Sequence, residues 1–117
     1  MQEREEDTEV ITHLGEMYDG DGEARKLARS QECLDKGLIL SLFGDQDAAL
    51  RFYRKALLLD PANALGHYML GLALIKLGAT NDALAEWRKA AHSEQAGSRS
   101  NWAKRKAMEL LRDHGGH

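Results

Sequence analysis

The chain of 117 residues contains 43% hydrophobic and 30% charged residues and has a net charge of −3, as expected for one soluble globular domain over residues 1–117. Its single proline and single cysteine exclude collagen-like, Pro-rich and disulfide-stapled proteins, as well as zinc sites built from several cysteines. No apolar run approaches the roughly 20 residues that span a bilayer, so we expect no membrane contact. The acidic start differs from a signal or transit peptide, so we expect a cytoplasmic protein.

Residues 1–29 are interpreted as an acidic N-terminal tail and helix. Residues 1–23 contain nine acidic residues and one arginine. Apolar residues at helical spacing predict a short helix over 8–18, and the next four residues, 19–22, predict a turn. A long helix is predicted to follow over 23–43. The apolar stripe of the short helix consists of Val10, Ile11, Leu14, Met17 and Tyr18.

Residues 30–63 are predicted to form a pair of helices. Gly44 permits a tight turn between them, and either Asp45 or Asp47 can cap the second helix. Pro61 ends that helix because proline has no amide hydrogen and disfavours a helical residue before it. The apolar face of the first helix consists of Cys33, Gly37, Leu40 and Phe43, and that of the second of Ala49, Leu50, Tyr53, Ala56 and Leu57.

Residues 64–97 repeat this plan, since they align with residues 30–63 without a gap and with ten identities. Gly37 aligns with Gly71 in the middle of a predicted helix. A glycine there costs about 1 kcal/mol relative to alanine, which indicates that another backbone approaches closely. The aromatic residues that share a column, Tyr53 and Trp87, are predicted to fill the gap between successive units.

Residues 98–113 are predicted to form a basic capping helix. Ser98 or Ser100 can begin it, and we expect Trp102 and Leu110 to cover Trp87 and its neighbours. A helical repeat cannot bury its own apolar face, so such a cap is expected at the end of an array. The glycine-rich end beyond it, with His114 and His117, is expected to be disordered.

The repeated pattern resembles the tetratricopeptide repeat, a helix–turn–helix unit of 34 residues. The resemblance covers residues 30–97, although the second unit ends in Gln95 instead of proline. It implies an all-α fold, a short right-handed α-α superhelix whose first helices line a concave side. The residues that carry it are the small residues Gly37 and Gly71, the turn glycines Gly44 and Gly78, the series Ala49, Tyr53, Ala56 and Ala83, Trp87, Ala90, and Pro61.

The resemblance also implies where a partner binds, because partners of this family usually lie in the concave groove. The positions that carry over to this chain are Gln31, Leu34, Asp35, Leu38, Ser41, Leu42, Leu65, Tyr68, Met69, Leu72, Ile75 and Lys76, with Arg99, Trp102 and Lys106 from the capping helix. Within that set, we expect the binding groove to consist of Leu34, Leu38, Leu42, Tyr68, Met69, Leu72, Ile75, Arg99 and Trp102.

No residue pattern indicates catalysis, a cofactor or a metal. The five histidines are scattered, with no pair at the i, i+4 spacing of a metal site on a helix, and nucleophile-elbow, phosphate-loop and dinucleotide signatures are absent. We expect Cys33 to be a buried, inert thiol and His67 to be a partly buried packing residue. We therefore expect a protein that is not an enzyme.

Protein binding is the function that remains, and an adaptor or scaffold that holds a helix or an extended peptide is the leading hypothesis. The alternatives are a self-associating assembly subunit, which would be a homo-oligomer, and a regulatory subunit of a larger complex. Some relatives grip acidic chaperone tails with a cluster of Lys, Asn and Arg. Only Arg99 has the required type here, so we expect no chaperone-tail binding. The three basic residues 104–106 are interpreted as a solvated face rather than as a nucleic-acid site.

Overall fold

The computed structural model describes residues 21–115, without the side chain of Asp21. Within that range the backbone forms five α-helices and no strand. The helix predicted over 8–18 lies outside the described residues, and residues 21–22 are helical, so the predicted turn does not extend to them. The helices are α1 (Asp21–Leu42), α2 (Gln46–Leu59), α3 (Ala64–Lys76), α4 (Thr80–Ala91) and α5 (Ser98–Asp113).

The five helices form two hairpins and a closing helix. Helices α1 and α2 pack together, as do α3 and α4, and the contact between α2 and α3 joins the two hairpins. Helix α5 packs against both α3 and α4, so the second hairpin is covered at its far side. This is the all-α, helical-repeat fold that the sequence predicts. None of the helices within residues 21–115 combines the length and the apolar character needed to cross a bilayer.

A left-handed glycine turns the chain within each hairpin. Gly44 has a φ of 88° and Gly78 a φ of 84°, values that side chains with a Cβ rarely adopt. Asp45, rather than Asp47, caps α2, because its side chain accepts a hydrogen bond from the amide of Ala48 at 3.1 Å. The second hairpin differs, since Ala79 occupies the capping position of α4 and provides no side-chain hydrogen bond.

Large aromatic residues explain the two glycines in the middle of α1 and α3. A Cβ added to Gly37 would lie 2.7 Å from Cδ1 of Tyr53, and a Cβ added to Gly71 would lie 2.9 Å from Cε2 of Trp87. The expectation that another backbone approaches these glycines closely is therefore wrong. Each aromatic ring lies against the glycine of its own hairpin, where it separates the two backbones.

Ser30 marks the point where α1 begins to pack against the rest of the molecule. Its side chain is fully buried and donates a hydrogen bond to the carbonyl oxygen of Ala56 at 2.9 Å. All residues of α1 before it, residues 22–29, are exposed. We call residues 22–29 the N-terminal overhang. The helix pattern of the sequence predicted that α1 is long, but not that its first turns lack cover from residues 30–115.

The C-terminal helix packs partly as expected. Leu110 packs against the core that contains Trp87, whereas the ring of Trp102 meets Tyr68 edge to face, with ring centroids 5.3 Å apart. The ring next to Trp87 is that of His114, also at 5.3 Å. The expected disorder of His114 is thus not observed. His114 is the C-cap of α5, and its Nδ1 lies 2.9 Å from the carbonyl oxygen of Leu110. His117 lies outside the described residues.

Candidate partner-binding groove

A groove of about 410 Å³ opens between the first helices of the two hairpins and the closing helix. Its walls come from α1, α3 and α5. Helices α2 and α4 pack against these helices and hold them in place. All of its lining residues are among the positions that the family resemblance implies. They are Gln31, Leu34, Asp35, Leu38, Leu65, Tyr68, Met69, Leu72, Arg99 and Trp102.

The groove has a buried floor and an exposed rim. Leu34 is 1% exposed and Met69 9%, so the floor belongs to the packed core and its shape is set by that core. Leu38 is 43% exposed and Trp102 41%, which places large apolar surfaces where a partner can reach them. The groove therefore joins a rigid base to accessible apolar surface, the combination that ligand-binding clefts usually have.

The aromatic corner of the groove is built by α3 and α5. Tyr68 and Trp102 form the edge-to-face pair described above, and the ammonium group of Lys106 lies 6.0 Å from the centre of the Trp102 ring. Burial and, to a lesser extent, the negative charge of Glu109 raise the pKa of the Tyr68 hydroxyl above its ordinary value. The hydroxyl therefore stays neutral around pH 7 and can donate or accept a hydrogen bond.

The polar groups of the groove differ in whether they already have a partner within the chain. Gln31 donates a hydrogen bond to Asp35 at 2.9 Å, so one carboxylate oxygen is already engaged. Arg99 forms no ion pair with a carboxylate of residues 21–115. Its guanidinium group carries five donors and is therefore the group best suited to bind an acidic or carbonyl group of a partner.

Two of the predicted groove residues do not line the groove. Leu42 is 78% exposed at the end of α1, and Ile75 packs against the core near the end of α3. Both lie beyond Leu38 and Leu72 along their helices. The other seven predicted residues come together in it: Leu34, Leu38, Tyr68, Met69, Leu72, Arg99 and Trp102.

A hydrogen-bonded cluster that the sequence did not predict lies between α3 and α4. Nδ1 of His67 is 2.7 Å from a carboxylate oxygen of Glu86, and its Nε2 is 2.8 Å from the carbonyl oxygen of Pro61. Lys89 donates to the other carboxylate oxygen at 3.1 Å. Because both ring nitrogens are engaged, His67 has no nitrogen left to exchange a proton with a substrate. The cluster joins the two helices and is interpreted as structural.

The basic segment at residues 104–106 is largely engaged within the chain. Lys104 donates a hydrogen bond to the carbonyl oxygen of Gln95, and Lys106 lies 3.4 Å from Glu109. Arg105 is the one residue of the three for which the structure shows no hydrogen bond or ion pair among residues 21–115, and the absence of nucleic-acid binding stays a prediction. Cys33 is a buried free thiol, as expected. No three potential metal ligands cluster within residues 21–115.

The arrangement of two helical hairpins closed by a further helix defines the class of protein as a helical repeat protein. Residues 37–78, from the glycine of α1 to the turn glycine after α3, match the family model of the tetratricopeptide repeat. The match supports the resemblance to this family over residues 37–78. Repeats of this family generally mediate contacts between proteins and are typically non-catalytic. No curated protein matches the chain.

Proposed function

We propose that the protein is a non-catalytic adaptor or scaffold that binds a helix or an extended peptide of a partner protein in the groove. The observation that carries the proposal is the groove itself: its base is buried in the packed core, and Leu38 and Trp102 expose large apolar surfaces at its rim. Such surfaces bind the apolar anchors of amphipathic segments. The family's general role in protein contacts supports the same conclusion.

The size and the charge of the groove define the partner segment that it fits. A volume of about 410 Å³ accommodates a few side chains, not a whole helix. The partner therefore places two or three apolar side chains against Leu38, Leu72 and Trp102 while the rest of its segment stays outside. An acidic side chain beside these anchors pairs with Arg99, whose charge no described carboxylate neutralises.

The test compares a groove variant with a variant of equal charge on another surface. Once a partner is identified, its affinity is measured by isothermal titration calorimetry for the wild type and for the double variant Leu38→Glu, Leu72→Glu. The control is the double variant Leu58→Glu, Met108→Glu, since Leu58 is 84% and Met108 56% exposed and neither lines the groove. Loss of binding by at least tenfold in the groove variant alone supports the proposal. Unchanged binding by a folded groove variant overturns it.

Self-association is a second candidate function, and an exposed apolar cluster at the end of α1 favours it. Ile39 is 54% exposed, Leu42 78% and Phe43 86%, and their spacing puts them on adjoining parts of the helix surface. A second copy that covers this cluster would form a homo-oligomer. Light scattering at two protein concentrations, for the wild type and for Phe43→Glu, distinguishes this assembly from a monomeric adaptor.

The cytoplasm is the proposed location of the protein. Its one cysteine in the sequence, Cys33, is a buried free thiol. A chain that forms no internal disulfide suits a reducing compartment.

A further inference from the structure

The N-terminal overhang, residues 22–29, has an apolar face that no residue of 30–115 covers. Leu27 is 45% exposed, and Ala24 and Ala28 next to it are exposed as well. These residues lie at helical spacing with Gln31 and Leu38, so the groove-lining face of α1 continues onto the overhang. A helix normally buries such a stripe against another element.

We propose that residues 8–18 of this chain form a helix that folds back along the overhang and covers Ala24, Leu27 and Ala28. The N-terminal helix would then be a further antiparallel neighbour of α1. The inference does not depend on the groove binding a partner, since the overhang precedes the groove along α1.

The length of the chain decides between the overhang and the groove as the binding place of this segment. Residues 8–18 as a helix measure about 16 Å, at 1.5 Å per residue. Residues 19–20 connect them directly to the start of α1, so the helix must turn back at that point. It then extends along α1 to about residue 31, where the groove begins. A helix of this length covers the overhang and leaves the groove open.

The two surfaces also match in chemistry. The apolar residues of the segment recur at intervals of three and four, as do those of the overhang, so two apolar stripes can meet along their length. Residues 8–20 contain three acidic residues and no lysine or arginine, whereas the overhang contains Arg25, Lys26 and Arg29 against Glu23. Opposite charges therefore flank the apolar contact and favour the antiparallel arrangement over association of two overhangs.

Disulfide trapping tests the position of the segment in the full chain. In a Cys33→Ala background, Leu14→Cys is combined either with Leu27→Cys on the overhang or with Leu38→Cys in the groove. Leu38 lies about 16 Å further along α1, and a disulfide needs Cα atoms within about 7 Å, so one position of the segment cannot link both pairs. We expect an intramolecular disulfide in the Leu27→Cys pair at a yield at least tenfold above that of the Leu38→Cys pair.

Every other result of the trapping experiment overturns the proposal. Preferential linkage to Leu38→Cys would place the segment in the groove, and linkage only between molecules would place a second copy on the overhang. No linkage in either variant, with the helical circular dichroism of the wild type retained, would mean that the segment does not dock. The same proteins, once reduced, show by circular dichroism whether the substitutions disturb folding.

Hydrogen exchange gives an independent measurement of the same contact. We expect the amides of residues 25–29 to exchange at least tenfold faster in the variant Ile11→Glu, Leu14→Glu than in the wild type, because an uncovered helix end opens more readily. The control is Thr12→Glu, since Thr12 lies off the apolar stripe of the segment. The amides of α3 should exchange equally in all three proteins. Equal exchange of residues 25–29 in all three would overturn the proposal.

Discussion

The indole ring of Trp87 occupies the space that a side chain at Gly71 would need. A Cβ on Gly71 would lie 2.9 Å from Cε2 of the ring, and Trp87 is fully buried there. Its Nε1 donates a hydrogen bond to the carbonyl oxygen of Tyr68 at 3.2 Å, which fixes the ring beneath the helix that lines the groove. The position of α3, and with it the floor of the groove, therefore depends on a contact inside the second hairpin.

Replacing Gly71 with alanine should destabilise the protein. The added methyl group gains up to about 1 kcal/mol in helix propensity, but it forces a rigid buried ring to shift, at a cost of about 1–3 kcal/mol. We expect a net loss of up to about 2 kcal/mol in the free energy of unfolding, measured by urea denaturation. Gly22→Ala is the control, because nothing lies within 4 Å of a Cβ at that position. Equal stability of Gly71→Ala and the wild type would contradict this account.

The start of α2 should depend on Asp45 and not on Asp47. Asp45→Ala removes the hydrogen bond to the amide of Ala48 and should cost about 1 kcal/mol in thermal or urea unfolding. Asp47→Ala removes only a favourable charge from the first turn, worth a few tenths of a kcal/mol. Both variants remove a carboxylate, at positions two residues apart. A larger loss of stability at Asp47 would show that the observed cap does not act in solution.

Acid should weaken the contact between α3 and α4. Burial alone would raise the pKa of Glu86, but hydrogen bonds from His67 and Lys89 outweigh it and hold the pKa below its ordinary value of 4.5. A carboxylate whose pKa is lowered in the folded state contributes stability above its unfolded pKa and loses it as the pH falls through the folded pKa.

The measurement for this contact is the difference in unfolding free energy between the wild type and Glu86→Gln. We expect the wild type to be more stable at pH 6, and the difference to shrink steadily below about pH 4.5. Glu94→Gln is the control, since Glu94 is exposed and should give no such trend. A difference for Glu86→Gln that stays constant from pH 6 to pH 3 would be incompatible with the ion-paired cluster.

The aromatic pair Tyr68 and Trp102 should connect the closing helix to the second hairpin energetically. A double-mutant cycle with Tyr68→Leu and Trp102→Leu should give a coupling energy of about 0.5–1.5 kcal/mol in urea unfolding, the usual range for edge-to-face aromatic pairs. As a comparison, Tyr53→Leu with Trp102→Leu should be additive, because the structure records no ring contact between those residues. Additivity of the first cycle would show that the pair is not formed in solution.

The groove should not bind an acidic chaperone tail. Of the positions at which relatives place their cationic clamp, this chain has a cation only at Arg99, while Leu34, Leu38 and Met69 are apolar and Ala103 is fully buried. Fluorescence polarisation with a labelled Glu-Glu-Val-Asp peptide should therefore show no binding in the micromolar range. Saturable micromolar binding that Arg99→Ala abolishes would prove this prediction wrong.

Much of the groove could be predicted from the sequence because the repeat fixes which helix positions share a face. Gly44 and Gly78 mark the turns, and the carried-over positions include every residue that lines the hollow. Leu42 and Ile75 lie outside the hollow, and whether they contact a partner stays a prediction. Helical spacing says which residues share a stripe, but it does not say how far along that stripe the hollow extends.

Local signals in the sequence determined the helical hairpins and their turns, since these depend on neighbours three or four positions apart. Only the tertiary structure decided which residues from distant segments meet: Trp102 with Tyr68, His67 with Glu86, and Ser30 with Ala56. The physical reason is that such contacts depend on the distance and angle between helices, which arise when all the buried side chains pack at once.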